Sequence, residues 1–160
     1  MNEFNNLVGR EILKIHRLDS EIDYYYYSPY AIIFTINGIT EKFIISIANN
    51  RSIDLKISNY KQIADDYGLE FNECILNDIN KQDELNLFIG ESIKHIRLAR
   101  YNSLEIQGTG FVIQQGEYAG VELQTDTHTL LFQNKYNGDG WCDIDDELAQ
   151  IHDKDRWHWL

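Results

Sequence analysis

Proline is almost absent from this sequence, which also lacks a long hydrophobic run. Pro29 is the one proline among 160 residues. No proline-rich or Gly/Ser-rich linker divides the chain, so we expect a single domain over residues 1–160. The longest apolar run, near residues 32–36, is far shorter than the roughly 20 residues that a membrane helix needs. The N-terminus has neither a basic start nor an apolar signal core, so we expect a cytoplasmic protein with no membrane partner.

Cysteine and catalytic motifs are equally scarce. Cys74 and Cys142 are the only two cysteines. They are too few for a disulfide scaffold and lack metal-ligand spacing, so we expect free thiols. The phosphate-loop, dinucleotide, zinc-protease and nucleophile-elbow motifs are all missing. Residues 137–145 superficially resemble a calcium loop, but Trp141 stands where that pattern needs an oxygen ligand. We therefore expect a glycine-rich turn there, no metal, no cofactor and no enzyme activity.

The chain has an excess of acidic residues. It carries 26 acidic and 14 basic residues, a formal net charge of -12. A small domain needs a net charge of only roughly 2–8 to stay soluble. A larger negative charge attracts cationic partners and repels nucleic acid and anionic membrane. The sequence therefore favours a basic protein partner.

The acid is densest near the C-terminus. Our candidate partner-binding residues are Asp139, Trp141, Asp143, Asp145, Asp146 and Glu147. Carboxylates this close repel one another and cost stability, which a basic partner would relieve. Trp141 would serve as an apolar anchor. The alternative interpretation is a solvated surface beside the start of a helix.

A run of four tyrosines is a secondary candidate interface. Tyr24, Tyr25, Tyr26 and Tyr27 precede Ser28 and Pro29. A rigid ring with a polar tip gives a large contact area at low entropy cost, as interfaces require. An edge strand with amphipathic rings explains the same residues without a partner.

Strand patterns dominate the chain, and we expect an α+β fold that is mostly antiparallel β with a few short helices. Residues 30–36 and 42–47 flank Asn37-Gly38, a strong hairpin signal. Further strands are expected at 103–107, 110–114, 120–125 and 129–134. Helices are expected at 58–67 and from Asp143 or Asp145 to residue 151, and a short turn or helix is expected from Asp78 or Asn80 to Leu87. The aromatic tail, residues 156–160, should pack on the body.

Two segments of the chain are similar to each other. Leu7-Val8-Gly9-Arg10-Glu11-Ile12 resembles Phe88-Ile89-Gly90-Glu91-Ser92-Ile93. Self-similarity at a long period usually means equivalent structural units. We expect an internal duplication, roughly residues 7–58 and 88–146. Gly9 and Gly90 would permit a tight turn into the strand that follows each of them.

In general character the chain resembles bacterial toxin-immunity proteins of contact-dependent inhibition and related polymorphic-toxin systems. The resemblance lies in small size, strong acidity, strands rich in Ile, Asn and Tyr, the pair Trp157 and Trp159, and the missing catalytic motifs. It implies a cytoplasmic inhibitor that binds and neutralises a cognate toxin domain, often a basic nuclease. Two alternatives remain open. One is a nucleic-acid mimic that inhibits a host DNA-binding enzyme, and the other is a small ligand-binding domain or enzyme.

Overall fold

The described residues of the computed structural model form ten β-strands, in one antiparallel sheet, and two short 3₁₀ helices. The structure describes residues 2–20, 29, 31–48, 52–58, 74–79, 81–102, 118–135, 139–145 and 157–160. The strands are β1 Ile12–Ser20, β2 Ala31–Ile36, β3 Lys42–Ala48, β4 Ser52–Ser58, β5 Cys74–Asp78, β6 His95–Tyr101, β7 Tyr118–Gln124, β8 Thr129–Lys135, β9 Asp139–Ile144 and β10 Trp157–Trp159. The 3₁₀ helices span Asn2–Leu7 and Glu84–Phe88.

The expectation of a mostly antiparallel β fold is confirmed, but the described residues contain no α-helix. The helix expected at about 78–87 is a 3₁₀ helix from Glu84, and Asp83 caps it by accepting the Leu85 N–H at 3.0 Å. Ser58 is the last residue of strand β4. Most of the helix expected at 58–67 and the expected strands at 103–107 and 110–114 lie outside the described residues.

The sheet consists of two four-stranded meanders. Strands β1 to β4 pair in sequence, and β6 to β9 do the same. Strand β5 pairs with the remaining edge of β1, and β10 pairs with the remaining edge of β6. One residue pair, Ile53 with Tyr118, joins β4 to β7. Each half therefore has the same strand order, β5-β1-β2-β3-β4 and β10-β6-β7-β8-β9.

The pairing register also corresponds between the halves. Leu18 on β1 lies opposite Ala31 on β2 and Leu76 on β5. Ala99 on β6 lies opposite Gly120 on β7 and Trp159 on β10. Further along the meanders, Ala31 pairs with Ser46 and Gly120 pairs with Gln133.

The two meanders meet at a short antiparallel contact between residues 9–12 and 90–93, which we call the seam. Gly9 has φ 84° and Gly90 has φ 85°, so the expected tight turn before each strand is confirmed. Only glycine adopts this left-handed conformation at little cost. Four backbone hydrogen bonds close the seam: Gly9 N–H to Ile93 O (2.7 Å), Gly90 N–H to Ile12 O (2.8 Å), Ile12 N–H to Glu91 O (2.8 Å) and Ile93 N–H to Arg10 O (2.9 Å).

One apolar core receives side chains from both meanders and both 3₁₀ helices. Its members include Phe4, Leu7, Ile15, Phe34, Phe43, Leu85, Phe88, Ile96, Val121, Phe132 and Cys142. Strand β2 is buried without a break from Ala31 to Phe34. A strand covered on both faces loses the alternation of apolar and polar residues, which explains the unbroken apolar run in the sequence.

The predicted hairpin between β2 and β3 is confirmed, although its turn differs from the expected one. Gly38 has φ 77°, whereas Asp145 is the one described non-glycine residue with positive φ. Asn37 therefore does not adopt the left-handed conformation that a type I′ turn requires of both central residues. The Ile39 N–H donates to Ile36 O at 3.2 Å. The Arg10 guanidinium donates to Asn37 O at 3.1 Å and covers Gly38.

Candidate protein-binding site

Strand β9 carries three of the candidate residues, Asp139, Trp141 and Asp143, at alternate positions along the strand. Cys142, which lies between the last two, is 5% exposed and belongs to the core, whereas the side chain of Asp143 is partly exposed. The sequence interpretation of a glycine-rich turn here is wrong from Asp139 onwards, because the residues through Ile144 form a strand. The two-residue period of Asp139, Trp141 and Asp143 is the signal that could have shown this.

Asp143 lies within the strand, so the expected helix does not begin there, and residues 146–151 of that helix lie outside the described residues. Asp143 is partly exposed, and its Oδ2 accepts a hydrogen bond from Gln133 Nε2 at 2.9 Å. Gln133 lies on β8 and is fully buried. A buried amide that donates to a carboxylate fixes the orientation of that carboxylate. Asp143 is therefore a positioned negative charge at the outward side of β9.

Asp145 follows β9 and is committed to an internal role. Its Oδ2 lies 2.6 Å from His128 Nδ1, and its Oδ1 accepts the Thr129 N–H at 2.8 Å. Its own N–H donates to Thr129 O at 2.9 Å. With φ 53°, Asp145 adopts a conformation that Asp tolerates better than most residues. The carboxylate fastens the β7–β8 turn to the end of β9.

The remaining candidates lie outside the described residues. These are Asp146 and Glu147 of the acidic cluster and the secondary candidates Tyr24, Tyr25, Tyr26 and Tyr27. The structure therefore places Asp139, Trp141 and Asp143 along the length of β9 and Asp145 directly after it. The tail interpretation is confirmed for its described part, because Trp157–Trp159 forms β10 on the edge of β6.

Buried ion pairs are the polar features that the sequence interpretation missed. Arg17 is 2% exposed and donates to Asp19 Oδ1 and to Asp83 Oδ2, each at 3.0 Å. Burial alone would lower the pKa of Arg17, but the two carboxylates raise it above its ordinary value. The spacing of Arg17 and Asp19, two apart on one face of a strand, was the available signal.

A second ion pair holds the other meander. Arg97 Nε and Nη2 donate to the two carboxylate oxygens of Glu122 at 2.8 and 3.1 Å. Glu122 is fully buried, and Gln124 Nε2 donates to it at 2.9 Å. The indole of Trp159 covers the Arg97 guanidinium at 3.8 Å. This cation–π contact attaches β10 to β6.

Cys142 is a free, fully buried thiol. Burial raises its pKa far above the ordinary value, although the nearby Arg17 opposes the shift. A protonated, inaccessible thiol is a poor nucleophile and a poor metal ligand. Among the residues that the structure describes, no group of three His, Cys, Asp or Glu side chains could hold a metal ion.

Two further observations bear on the class of protein. No helix in the described part of the chain is long and apolar enough to cross a membrane. The chain matches no family model, no curated protein and no solved structure.

Proposed function

We propose that this chain is a cytoplasmic immunity protein that binds and neutralises a cognate basic toxin domain, of the nuclease type, through the outward face of β9. The observation that carries the proposal is that Asp139, Trp141 and Asp143 occupy alternate positions of that strand. Two negative charges flanking an indole combine a charged rim with an apolar anchor, which is how protein interfaces are commonly built. The net charge of -12 supports a basic partner.

The hydrogen bonds assign different roles to the carboxylates. Asp145 uses both oxygens internally, on His128 and Thr129. Asp143 is held by Gln133 with its side chain partly exposed. In the proposed complex, Asp139 and Asp143 meet basic groups of the toxin domain, while Asp145 keeps β9 in place.

The experiment measures binding to the toxin domain encoded beside this chain's gene, by surface kinetics at low and physiological salt. Asp139→Asn with Asp143→Asn should slow association about tenfold and flatten its salt dependence, because rim charges set the on-rate. Trp141→Ala should chiefly raise the dissociation rate.

The matched control is Glu41→Gln with Asp78→Asn. It removes the same two charges from exposed positions and should leave both rates within about twofold of the unmutated protein, since only charges near the interface act strongly on association. If the control and the site variants change the association and dissociation rates equally, the binding face lies elsewhere. If the unmutated chain does not bind the toxin domain, it is not the immunity protein of that toxin.

We also propose that residues 7–58 and 88–146 are two copies of one structural unit. The shared strand order, the corresponding registers and the reciprocal seam hydrogen bonds support this proposal. Residues 4, 7, 12 and 15 are buried, as are residues 85, 88, 93 and 96, each exactly eighty-one positions later.

An exchange experiment tests the duplication. Residues 4–15 and 85–96 are swapped within the full chain, so that each copy receives the other's segment. Two equivalent units should accept the swap and keep one cooperative unfolding transition. The control swaps residues 4–15 with 86–97, one position out of register, which turns apolar side chains away from the core. Equal loss of cooperativity in both chimeras would show that the likeness is superficial.

A further inference from the structure

The surface of the seam opposite the core is apolar. Five large hydrophobic side chains are exposed among the described residues, and four of them lie within three residues of the seam: Val8, Leu13, Leu87 and Ile89, each between 37% and 46% exposed. The inner side of the seam is buried in the core, through Leu7, Ile12, Phe88 and Ile93. Single exposed aliphatic side chains are common in monomers, whereas a cluster of them in a small domain marks a binding surface.

Three of the four side chains form a cluster at one end of the seam. The Gly90 N–H donates to Ile12 O at 2.8 Å. Ile89 and Leu13 adjoin these two residues, so they are neighbours across the seam. Leu87 stands two residues before Ile89, within the second 3₁₀ helix. This end of the seam therefore presents aliphatic side chains from two distant segments of the chain.

Val8 lies at the other end, next to Gly9, whose N–H donates to Ile93 O at 2.7 Å. The surface between the two ends is open. Gly9 and Gly90 are exposed, and a Cβ at either position would have no atom within 4 Å. Residues without side chains allow the backbone of a partner to approach closely. We call the surface formed by the two glycines and the four aliphatic side chains the seam face.

Charge is nearly balanced on the seam face, in contrast to the rest of the chain. Residues 6–14 and 87–95 carry three basic residues and two acidic ones. One exposed aspartate lies 3.6 Å from Lys14, and another lies 3.4 Å from Lys94. Almost all of the net charge of -12 therefore lies elsewhere. A basic partner gains little from such a face, and the repulsion between two copies of the chain is weakest there.

The seam face is also self-complementary in charge. Arg10 and Glu91 hold equivalent positions in the two halves, and both are partly exposed. The Arg10 guanidinium donates to the backbone carbonyls of Asn6 and Asn37 and forms no ion pair with a described carboxylate. A twofold axis in the plane of the face, perpendicular to the line that joins the two positions, brings Arg10 of each copy opposite Glu91 of the other. Isologous contacts require this kind of self-complementarity.

We propose that the seam face is a dimer interface, at which two copies of this chain pack about a twofold axis. The inference does not depend on the proposed function, because the acidic residues of β9 take no part in it. The aliphatic side chains supply the affinity, and the balanced charge permits the approach. Four half-exposed side chains are a small contact compared with the roughly 800 Å² per partner of a stable interface. We therefore expect a weak, reversible dimer with a dissociation constant on the order of 100 µM.

Sedimentation equilibrium of the full chain, from about 10 µM to about 1 mM, brackets this constant. Leu13→Gln and Leu87→Gln should each weaken the dimer about tenfold, because in an isologous contact every substitution removes apolar surface twice. The matched control is Leu160→Gln, which changes an equally exposed leucine away from the seam. It should leave the dissociation constant within about twofold of the unmutated value. Circular dichroism checks that each variant keeps the fold.

The salt dependence gives a second readout. Raising the salt from low to physiological concentration should strengthen the dimer, because salt screens the repulsion between two copies of net charge -12. An association that weakens with salt would come from the acidic surface of one copy meeting basic residues of the other, and it would overturn the proposal. So would a chain that stays monomeric at about 1 mM, or equal losses of affinity in Leu87→Gln and Leu160→Gln.

Parallel measurements with the toxin domain test the other occupant. If Leu87→Gln weakens binding of the toxin domain while the chain stays monomeric, the seam face belongs to the toxin interface and the dimer proposal is wrong. If Leu87→Gln weakens the dimer and leaves binding of the toxin domain unchanged, the seam face is a dimer interface separate from β9. A dimer that forms when the toxin domain does not bind at all supports the dimer proposal and contradicts the immunity function.

Discussion

Each meander buries one arginine, and the two arginines connect different parts of the molecule. Arg17 on β1 reaches Asp83, the residue that caps the 3₁₀ helix leading into the second meander. Arg97 on β6 bonds to Glu122 on the adjacent strand and stacks under Trp159 of β10. The first ion pair therefore ties the two halves together, whereas the second holds neighbouring strands within one half.

Removing Arg17 should have the largest effect on stability. Arg17→Met leaves the carboxylates of Asp19 and Asp83 buried, at 2% and 3% exposure, without their cation. The free energy of unfolding should fall by about 3–5 kcal/mol, the usual cost of breaking a buried pair from one side. Urea denaturation measures the change. Lys14→Met on the same strand, with a 56% exposed side chain, should change little, and equal losses in the two variants would mean that the pair does not stabilise the fold.

Removing Arg97 should lower the free energy of unfolding by less than removing Arg17 does. Arg97 is 30% exposed, so water partly screens the pair and can reach the site after Arg97→Met. We expect a loss of about 2–3 kcal/mol, below the range for fully buried pairs. Trp159→Ala should remove the cation–π contact, worth about 1 kcal/mol, together with the packing of the indole against Ala99 and Ala119. A larger loss of unfolding free energy for Arg97→Met than for Arg17→Met would show that the second ion pair, not the first, stabilises the fold more.

At the seam, by contrast, the two halves should respond alike. Gly9→Ala and Gly90→Ala each place a Cβ on a residue with φ near 85°, with no atom within 4 Å to clash. The cost is therefore conformational, about 1–2 kcal/mol each. Gly120→Ala is the control, because its φ is not positive and its nearest contact would be an ordinary 3.4 Å from Phe132 O. Losses that differ between Gly9→Ala and Gly90→Ala by more than about 0.5 kcal/mol, the usual scatter for independent sites, would break the equivalence.

The smallest effect concerns pH and His16, which holds on β1 the place that Arg97 holds on β6. Burial lowers the pKa of His16 below 6.5, although Asp78 opposes the shift and Lys14 and Lys42 add to it. The unfolded chain therefore binds this proton more readily, and the contribution of His16 to stability is lost as pH falls through the unfolded value. His16→Gln should reduce the stability difference between pH 7.5 and pH 5.5, as measured by urea denaturation at each pH. The same pH dependence in both proteins would contradict this expectation.

Local patterns in the sequence predicted the strands that have clear ends. The Asn37-Gly38 hairpin and the glycine turns at Gly9 and Gly90 were foreseeable because few residues other than glycine adopt a positive φ. Strands β7 and β8 were placed to within two residues at each end. The β2 run was recognised as a strand although its burial on both faces hides the alternation.

Strands β4, β5 and β9 were not predicted because their extended conformation depends on pairing with neighbouring strands. Ser52–Ser58 pairs with β3 along its whole length, and no local signal in the sequence indicates that pairing. Asp139–Ile144 contains Gly140, which disfavours a strand on its own and is tolerated because β8 supplies the ladder. The acidic cluster was visible in composition, but the separate roles of Asp143 and Asp145 depend on Gln133 and His128, which are distant in sequence.

The order in which the molecule folds should follow from the seam. Its hydrogen bonds join residues about 80 apart along the chain, whereas the strands within each meander are sequence neighbours. Closing so long a loop costs entropy that only the finished contact repays. Each meander should therefore assemble before the seam closes, and the seam should be unformed at the folding transition state. Seam variants such as Gly9→Ala should accelerate unfolding and leave the refolding rate nearly unchanged.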